Sequence, residues 1–380
     1  MTMGRLAAAL LIALSAADLF AVRHVGFEVD VFNRTFPVEF RRNVVFSPLA
    51  VEMDCAVAAE SMDTLARASV AETMGVLVEF SGVYRPIRES LAARLGDSGF
   101  VSARGFCLPD MRLAKPDLRL LLQREYGVEV MPAFPSIGAE NWFRATMDGT
   151  MEDFRVPEDV AASGRYSFFD LLSVEFAWSD PFPLANSRKL GFKCADGSSR
   201  KLDFMSDVRV VDTWDAREYV LLKMPLKGGF DFYALSPKTG VDLHLVREDF
   251  SSMEIDFLLL ITKQADSRGV RRGSAAIVMP RLELRSRTDF TSALRDFRIP
   301  TSSLARLTGT VTPKAFEQRV NFRLAENGVD EAPLERKPVE RQVRITEDTK
   351  RLVFNRPFLF FIHDGETGTI PFAGIFTGLD

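Results

Sequence analysis

Arg356-Pro-Phe-Leu-Phe-Phe-Ile362, followed by Thr367-Gly-Thr-Ile-Pro-Phe-Ala-Gly374, stands near the end of the sequence. The apolar run from Leu352 to Ile362 reads as a buried strand. Working outward from it, Tyr219 to Pro225, Phe230 to Leu235, Ile255 to Ile261 and Ala275 to Met279 read the same way. Lys227-Gly228-Gly229 between the first two is a hairpin signal. Before about Ser167 the apolar period is nearer 3.6 than 2. Ser47-Pro48 opens a helix expected to run to about Met74, because a Ser cap followed by Pro in the first turn is a start signal. Pro116 to Tyr126 and Glu140 to Phe154 are further helices, and Val22 to Phe40 is one interrupted at Pro37. Helices come first and strands later, which predicts an α+β fold rather than a parallel βαβ sheet.

The 380 residues correspond to about 2.5 average domains. Nothing that looks like a linker divides them, so residues 22–380 are expected to form one large domain. At 47% apolar and 26% charged, the chain is neither disordered nor fibrous. A net charge of −4 gives no pull toward nucleic acid, and none is expected as a partner. The 32 Phe against 5 Tyr and 3 Trp favour a large dry core over a stacking surface. Cys55, Cys107 and Cys194 are odd in number and far apart, so they read as buried thiols, with at most one bridged pair.

Residues 1–21 read as a signal peptide: Arg5 gives a positive start, Leu6 to Ala17 is apolar, and Ser15, Ala17 or Ala21 offer cleavage points. The competing reading is a buried first helix. The apolar run is too short to span a bilayer, and no later stretch is long enough. The expectation is therefore a secreted protein without a membrane span. Asn33-Arg34-Thr35 is a glycan acceptor in a eukaryotic host and a polar helix face otherwise.

Catalytic signals are missing. His24, His244 and His363 stand near no GxSxG elbow, and no phosphate-cradling Gly-rich motif occurs. Asp148-Gly149 and Asp196-Gly197 read as turns, Glu248 and Asp249 as solvated charges, and Arg268 to Arg272 as a solvated connector. No catalytic residue, metal ligand or cofactor is expected, and the chain does not read as an enzyme. One segment stands apart. Glu326 to Arg344 holds five acids, four bases and two prolines between apolar strands, and must be a long exposed loop.

The motifs resemble the serpin family. Asn43-Val-Val-Phe-Ser-Pro-Leu49 is similar to the signature before that family's second helix. Trp142 with Gly149 resembles the end of the helix that overlies the main sheet. Trp178-Ser-Asp-Pro-Phe182, Ala195-Asp-Gly-Ser-Ser199, Leu222-Lys-Met-Pro225, Lys227-Gly-Gly229 and Met279-Pro-Arg-Leu282 also fit. The C-terminal stretch quoted first is the most specific match. The resemblance implies three β-sheets, a helical cluster and an exposed reactive loop over about 326–345. In inhibitory serpins a protease cleaves that loop, which then inserts as a central strand of the main sheet and drags the trapped enzyme with it.

On this resemblance Glu326, Gly328, Val329, Glu331 and Pro333 form the loop hinge, and Glu326 is expected to pair with Arg281. Trp178 is expected to be buried at the top of the main sheet. Ser47, Asp170 and Gln318 are expected in the polar shutter beneath it, where the family usually has Ser, Asn and His; Ala50 also departs from the pattern. The scissile bond falls near Gln342 and Val343, with Arg341 and Arg344 the nearest bases. The hinge departs from the inhibitory run of Thr, Glu and Ala. With Val329 facing inward, Glu331, Pro333, Glu335 and Lys337 would follow it into a central strand, which disfavours insertion. The expected partner is an unidentified protein or small ligand if the protein is non-inhibitory. It is a trypsin-like serine endopeptidase, or a cysteine peptidase, if inhibitory. A monomer is expected.

Overall fold

The computed structural model describes residues 27–35, 41–75, 80, 82–96, 99–133, 136–151, 153–161, 163–249, 270–292, 313–327 and 349–379. The expected signal segment 1–21, the strand over Ile255 to Ile261 and the loop residues Gly328, Val329, Glu331, Pro333, Arg341, Gln342, Val343 and Arg344 lie outside the described residues.

A helix α1 covers 27–35 and precedes strand β1 (Val44–Phe46). Helix α2 (Pro48–Glu60) follows, with the Ser47 hydroxyl accepting a hydrogen bond from Ala50 N at 3.1 Å. The helix stops well short of Met74. Asp63 accepts from the amides of Leu65 and Ala66 and caps a second helix, α3 (Thr64–Thr73), so one expected helix is two. Helix α4 (Tyr84–Leu95) leads to strand β2 (Phe100–Leu108), then helix α5 (Pro116–Tyr126) and strand β3 (Val128–Pro132). Pro at the first turn of α5 and left-handed Gly127 after its last residue fix its ends where the sequence placed them.

Strands β2 and β3 run parallel with α5 between them. The chain therefore contains a βαβ unit inside its helical half, and the order "helices, then strands" holds only in part. Helix α6 (Ile137–Thr146) starts and ends earlier than expected, because Asp148 (φ 43°) and Gly149 (φ 80°) make the turn that stops it. Asp196-Gly197 is likewise a turn, closed by Ser198 onto the Asp196 carboxylate. A short helix α7 (Glu158–Ala161) precedes strand β4 (Tyr166–Phe176).

The remaining strands are β5 (Arg188–Lys193), β6 (Ser199–Asp215), β7 (Tyr219–Pro225), β8 (Phe230–Pro237), β9 (Val270–Pro280), β10 (Leu282–Asp289) and β11 (Pro313–Leu324). Helix α8 (Leu243–Asp249) lies between β8 and β9. Strands β12 (Lys350–Val353), β13 (Phe358–Asp364) and β14 (Phe372–Phe376) complete the described chain. The strand expected over Leu352 to Ile362 is thus two, parted around Pro357. Arg271 and Arg272, expected in a connector, open β9 instead.

One five-stranded sheet has the order β10-β11-β4-β2-β3, with β11 parallel to β4. The other sheet follows β1-β14-β13-β8-β7-β6-β9-β12, with β5 beside β6. The 17-residue β6 joins its two parts: its first half pairs with β5, its last residues with β7, and β9 lines its other edge. Helix α6 covers the front of the five-stranded sheet. Its Phe143 sits so close over β2 that a Cβ on Gly105 would lie 2.5 Å from the ring. The back of the sheet packs against α2 and the main core, where Phe106 stacks on Phe168 at 4.5 Å and Phe168 meets Phe316 at 4.8 Å. All three cysteines are buried free thiols, and burial pushes the Cys107 thiol up to about 12.

Candidate functional site

Strand β11 leads straight into the charged loop, and residues around its two halves make two clusters. The first is at its end. Arg281, just after β9, donates to both carboxylate oxygens of Glu326, at 2.7 to 2.9 Å. The Ser187 hydroxyl donates to the same carboxylate, and Glu326 O accepts from Phe182 N at 3.1 Å. Glu326 is 2% exposed, so the pair is more enclosed than a surface ion pair. Burial pushes its carboxyl up, but the hydrogen bonds from Arg281 and Ser187 outweigh this and hold it below the usual range.

Trp178 is buried beside this pair. Its indole packs edge-on to Phe182 at 5.4 Å and Phe232 at 5.3 Å, and its backbone bridges to Leu226. The indole Nε1 has no hydrogen-bond partner among the described residues. Its role is that of a wedge between the end of β4, the β7–β8 hairpin and the Phe182 segment that holds Glu326.

Because a depressed carboxylate stabilises the fold above its unfolded pKa, near 4.3, that contribution is lost as pH falls through the folded value. Arg281→Met leaves the buried Glu326 carboxylate with hydrogen bonds from Ser187 and its own backbone but no cation. It is expected to cost about 1–3 kcal/mol at neutral pH, with the loss shrinking at pH 3. Urea unfolding of both proteins at the two pH values measures this; an equal loss at both would refute the assignment.

The second cluster lies behind the seam where β11 meets β4. Gln318 stands opposite Asp170 across that seam. The Gln318 amide oxygen accepts from Ser47 N at 2.5 Å, and its Nε2 donates to Ser47 O at 3.4 Å. On the other side of the seam Arg104, from β2, reaches the same end of α2. Its Nε donates to Asp170 at 3.0 Å, Nη1 to Tyr126 O at 3.1 Å and Met53 Sδ at 3.5 Å, and Nη2 to Ala50 O at 3.0 Å and to Asp54. Arg104 is 2% exposed, and the Asp54–Arg104–Asp170 triad is a buried ion cluster.

The sequence reading placed Ser47, Asp170 and Gln318 here but missed Arg104 and Asp54. The available signal was two acids, Glu52 and Asp54, inside the apolar run of α2, which is buried on all sides. Glu52 accepts from Tyr84 OH at 2.8 Å, while Glu60 accepts from Tyr126 OH and Arg67, both at 3.1 Å. On α1, buried Glu28 accepts from Ile370 N at 2.6 Å.

Buried acids outnumber buried bases here, and the electrostatics follow. Burial, then the nearby Asp170 charge, raises the Asp54 carboxyl, with Arg104 only partly offsetting. Burial also raises Asp170 against the pull of Arg104, and burial with Glu52 raises Glu28. A raised carboxyl keeps in the folded state a proton that the unfolded chain gives up near pH 4. Stability therefore falls as pH rises from about 4 through the folded values, by at most about 1.4 kcal/mol per pH unit for each proton. Asp54→Asn, a neutral isostere, is expected to flatten this decline. Unfolding free energies at intervals between pH 4 and 8 test it, and matching slopes in the two proteins would reject it.

Among the described residues no group of three or more His, Cys, Asp or Glu could hold a metal ion, and no helix is long and apolar enough to cross a membrane. What the two clusters can do is mechanical: they fasten the root of a loop and the seam beside it.

A serpin (serine protease inhibitor) family model matches residues 24–378, and the chain belongs to that family. It is 22% identical over 364 residues to Serpin-ZXA of Oryza sativa subsp. japonica, covering 88% of this chain and 89% of the relative. Serpin-Z1C of Triticum aestivum is also 22% identical, with 89% and 90% covered. Among solved structures, native protease nexin-1 with heparin superposes with a TM-score of 0.78 at 16% identity, covering 94% of this chain and 99% of its own. Native tengpin, a thermophilic serpin, gives 0.78 at 14% identity, with 96% and 95% covered. Serpin48 of the insect Tenebrio molitor gives 0.76 at 17% identity, with 95% and 98% covered. These likenesses show an α+β serpin fold.

Proposed function

We propose that this is a secreted, monomeric serpin that acts by binding a protein or small ligand, and that its cleaved loop inserts poorly. The observation that carries the reading is the way α2 is fastened to both sides of the seam. Neighbouring strands lie about 4.8 Å apart, so a new strand between β4 and β11 would part them to about 9.6 Å. Gln318 holds Ser47 on the β11 side, while on the other Arg104, itself bonded to Asp170, holds Ala50 O and Asp54. Both sets cannot survive that separation. At least the neutral Gln318–Ser47 set must break, at about 1 kcal/mol for each hydrogen bond. Separating the buried ion cluster instead would cost about 3–5 kcal/mol, so the cluster ties α2 to the β4 side.

Loop chemistry points the same way. Inward Glu331 and Glu335 would need desolvation or pairing, and Pro333 removes a ladder hydrogen bond from a central strand. Shifting the register by one residue turns Asp330 and Arg336 inward instead. The alternative reading, suicide inhibition of a trypsin-like endopeptidase, is favoured by the family and by Arg341 and Arg344 in the loop.

Mixing the protein with trypsin-like and elastase-like proteases separates the two. The expected result is cleavage within residues 336–344, no detergent-stable covalent complex and little change in the thermal midpoint of the cleaved protein. A rapid, near-stoichiometric complex, or a large rise in that midpoint, would restore the inhibitory reading.

A further inference from the structure

A cavity of about 890 Å³ opens where the β5–β6 hairpin, the end of β8 and the segment before β13 converge. None of its lining residues belongs to the seam or to the Glu326 cluster, and its walls come from parts of the chain far apart in sequence. They are tied together: Lys193 N donates to Asn355 O at 2.8 Å, Ala195 N to Thr377 O at 3.1 Å, and the Arg356 guanidinium to Pro237 O at 2.5 Å. A pocket held this way is formed before any ligand arrives, and its size suits a small organic molecule.

Its lining is lopsided in charge. Arg41, Lys193, Arg200 and Arg356 line it, against the carboxylates of Asp196 and Asp242. Both acids accept hydrogen bonds within their own turns, Asp196 from Ser198 and Asp242 from His244 N, and Asp196 also feels the Arg200 charge, so the cations exceed the acids without being isolated from them. Apart from His244, the remainder of the wall is largely apolar: Cys194, Leu243 and Leu379 are buried, with Pro237 and Pro357 beside them. Cations at the edge and an apolar floor match a molecule with one anionic head and an apolar body.

The geometry points to a binding site for an amphipathic organic anion, a carboxylate or sulfate on an apolar frame, at this cavity. Binding here does not depend on whether the loop inserts, so failure of this site would leave the poor-insertion reading untouched, while its success would supply the small ligand of the function proposed above.

Anilinonaphthalene sulfonate and phenylnaphthylamine share an aromatic body and differ by the sulfonate, which makes them suitable probes. Fluorescence titration of the full chain is expected to show one saturable sulfonate site, with the neutral analogue about tenfold weaker or worse. The double variant Lys193→Glu, Arg200→Glu changes two exposed hairpin side chains. It is expected to lose about tenfold or more in sulfonate affinity while phenylnaphthylamine binding stays unchanged. In the unaltered protein the sulfonate probe is expected to protect Lys193 from amine acetylation, a readout that holds even if the variant folds poorly. Equal binding of the two probes, an unaffected double variant, or unprotected Lys193 would each overturn the site. Displacement of the probe by inorganic sulfate as readily as by octyl sulfate would overturn the apolar half of the assignment.

Discussion

Replacing Arg104 by Met is expected to lower the free energy of unfolding by about 3–5 kcal/mol. Arg104 gives its donors to acceptors on α2, the end of α5 and β4, all within a site that water does not reach. A methionine fills much of the space but satisfies none of them. Two carboxyl groups, Asp54 and Asp170, then face each other without a cation, and the carbonyls of Ala50 and Tyr126 lose a donor. Protonation limits the damage, since both acids already sit above the ordinary range; the deficit is therefore expected to be smaller at pH 5 than at pH 8. The triple variant Arg104→Met, Asp54→Leu, Asp170→Leu removes the charges together and is expected to recover most of the loss, because a buried ion cluster gains little net stability over apolar packing. Guanidinium unfolding of the single and triple variants decides the matter. A single-variant loss below about 1 kcal/mol would show that the guanidinium is not buried among these partners.

That cluster also marks the limit of what the sequence could disclose. Arg104 lies 50 residues from Asp54 and 66 from Asp170, so its partners are a consequence of the fold and not of local spacing. Its strand was missed for a related reason. Phe-Val-Ser-Ala-Arg-Gly-Phe-Cys-Leu mixes weak strand formers with a charge, and only pairing with β3 and β4 makes it a strand. Local signals were enough elsewhere. Pro116 and Gly127 bound α5 and Lys227-Gly-Gly229 turns β7 into β8, whereas the pairing of Glu326 with Arg281, 45 residues apart, was implied only by the resemblance to the serpin family. The break between α2 and α3 was present in the sequence as Asp63, a cap residue two positions after Ser61, but an apolar periodicity that continues past it masked the signal.

Trp178→Ala is expected to cost about 3–5 kcal/mol, the range for emptying a large aromatic site in a core that cannot fully collapse. Trp178 is among the largest fully buried side chains, at 1% exposure, and the rings of Phe182 and Phe232 close on it from two sides. Phe182 cannot simply follow into the space. Its backbone amide is bonded to Glu326 O, and its ring lies 3.8 Å under the Arg209 guanidinium. Phe232 is fixed in β8 between β7 and β13. Relaxation is thus blocked on both sides, and a cavity remains. Trp178→Phe should be far milder, at about 1–1.5 kcal/mol, because the indole Nε1 has no partner to forfeit and the lost volume is small. The pair of variants separates packing from hydrogen bonding: a hydrogen-bonding role would make Phe nearly as damaging as Ala. Since Phe182 also holds Glu326 O, the Ala variant is expected to loosen the loop root as well. This would be read as faster tryptic cleavage within residues 336–344 at a temperature where the protein is still folded. A stability change near zero in Trp178→Ala would mean that the indole is not in the core, and an unchanged cleavage rate would separate the wedge from the loop it adjoins.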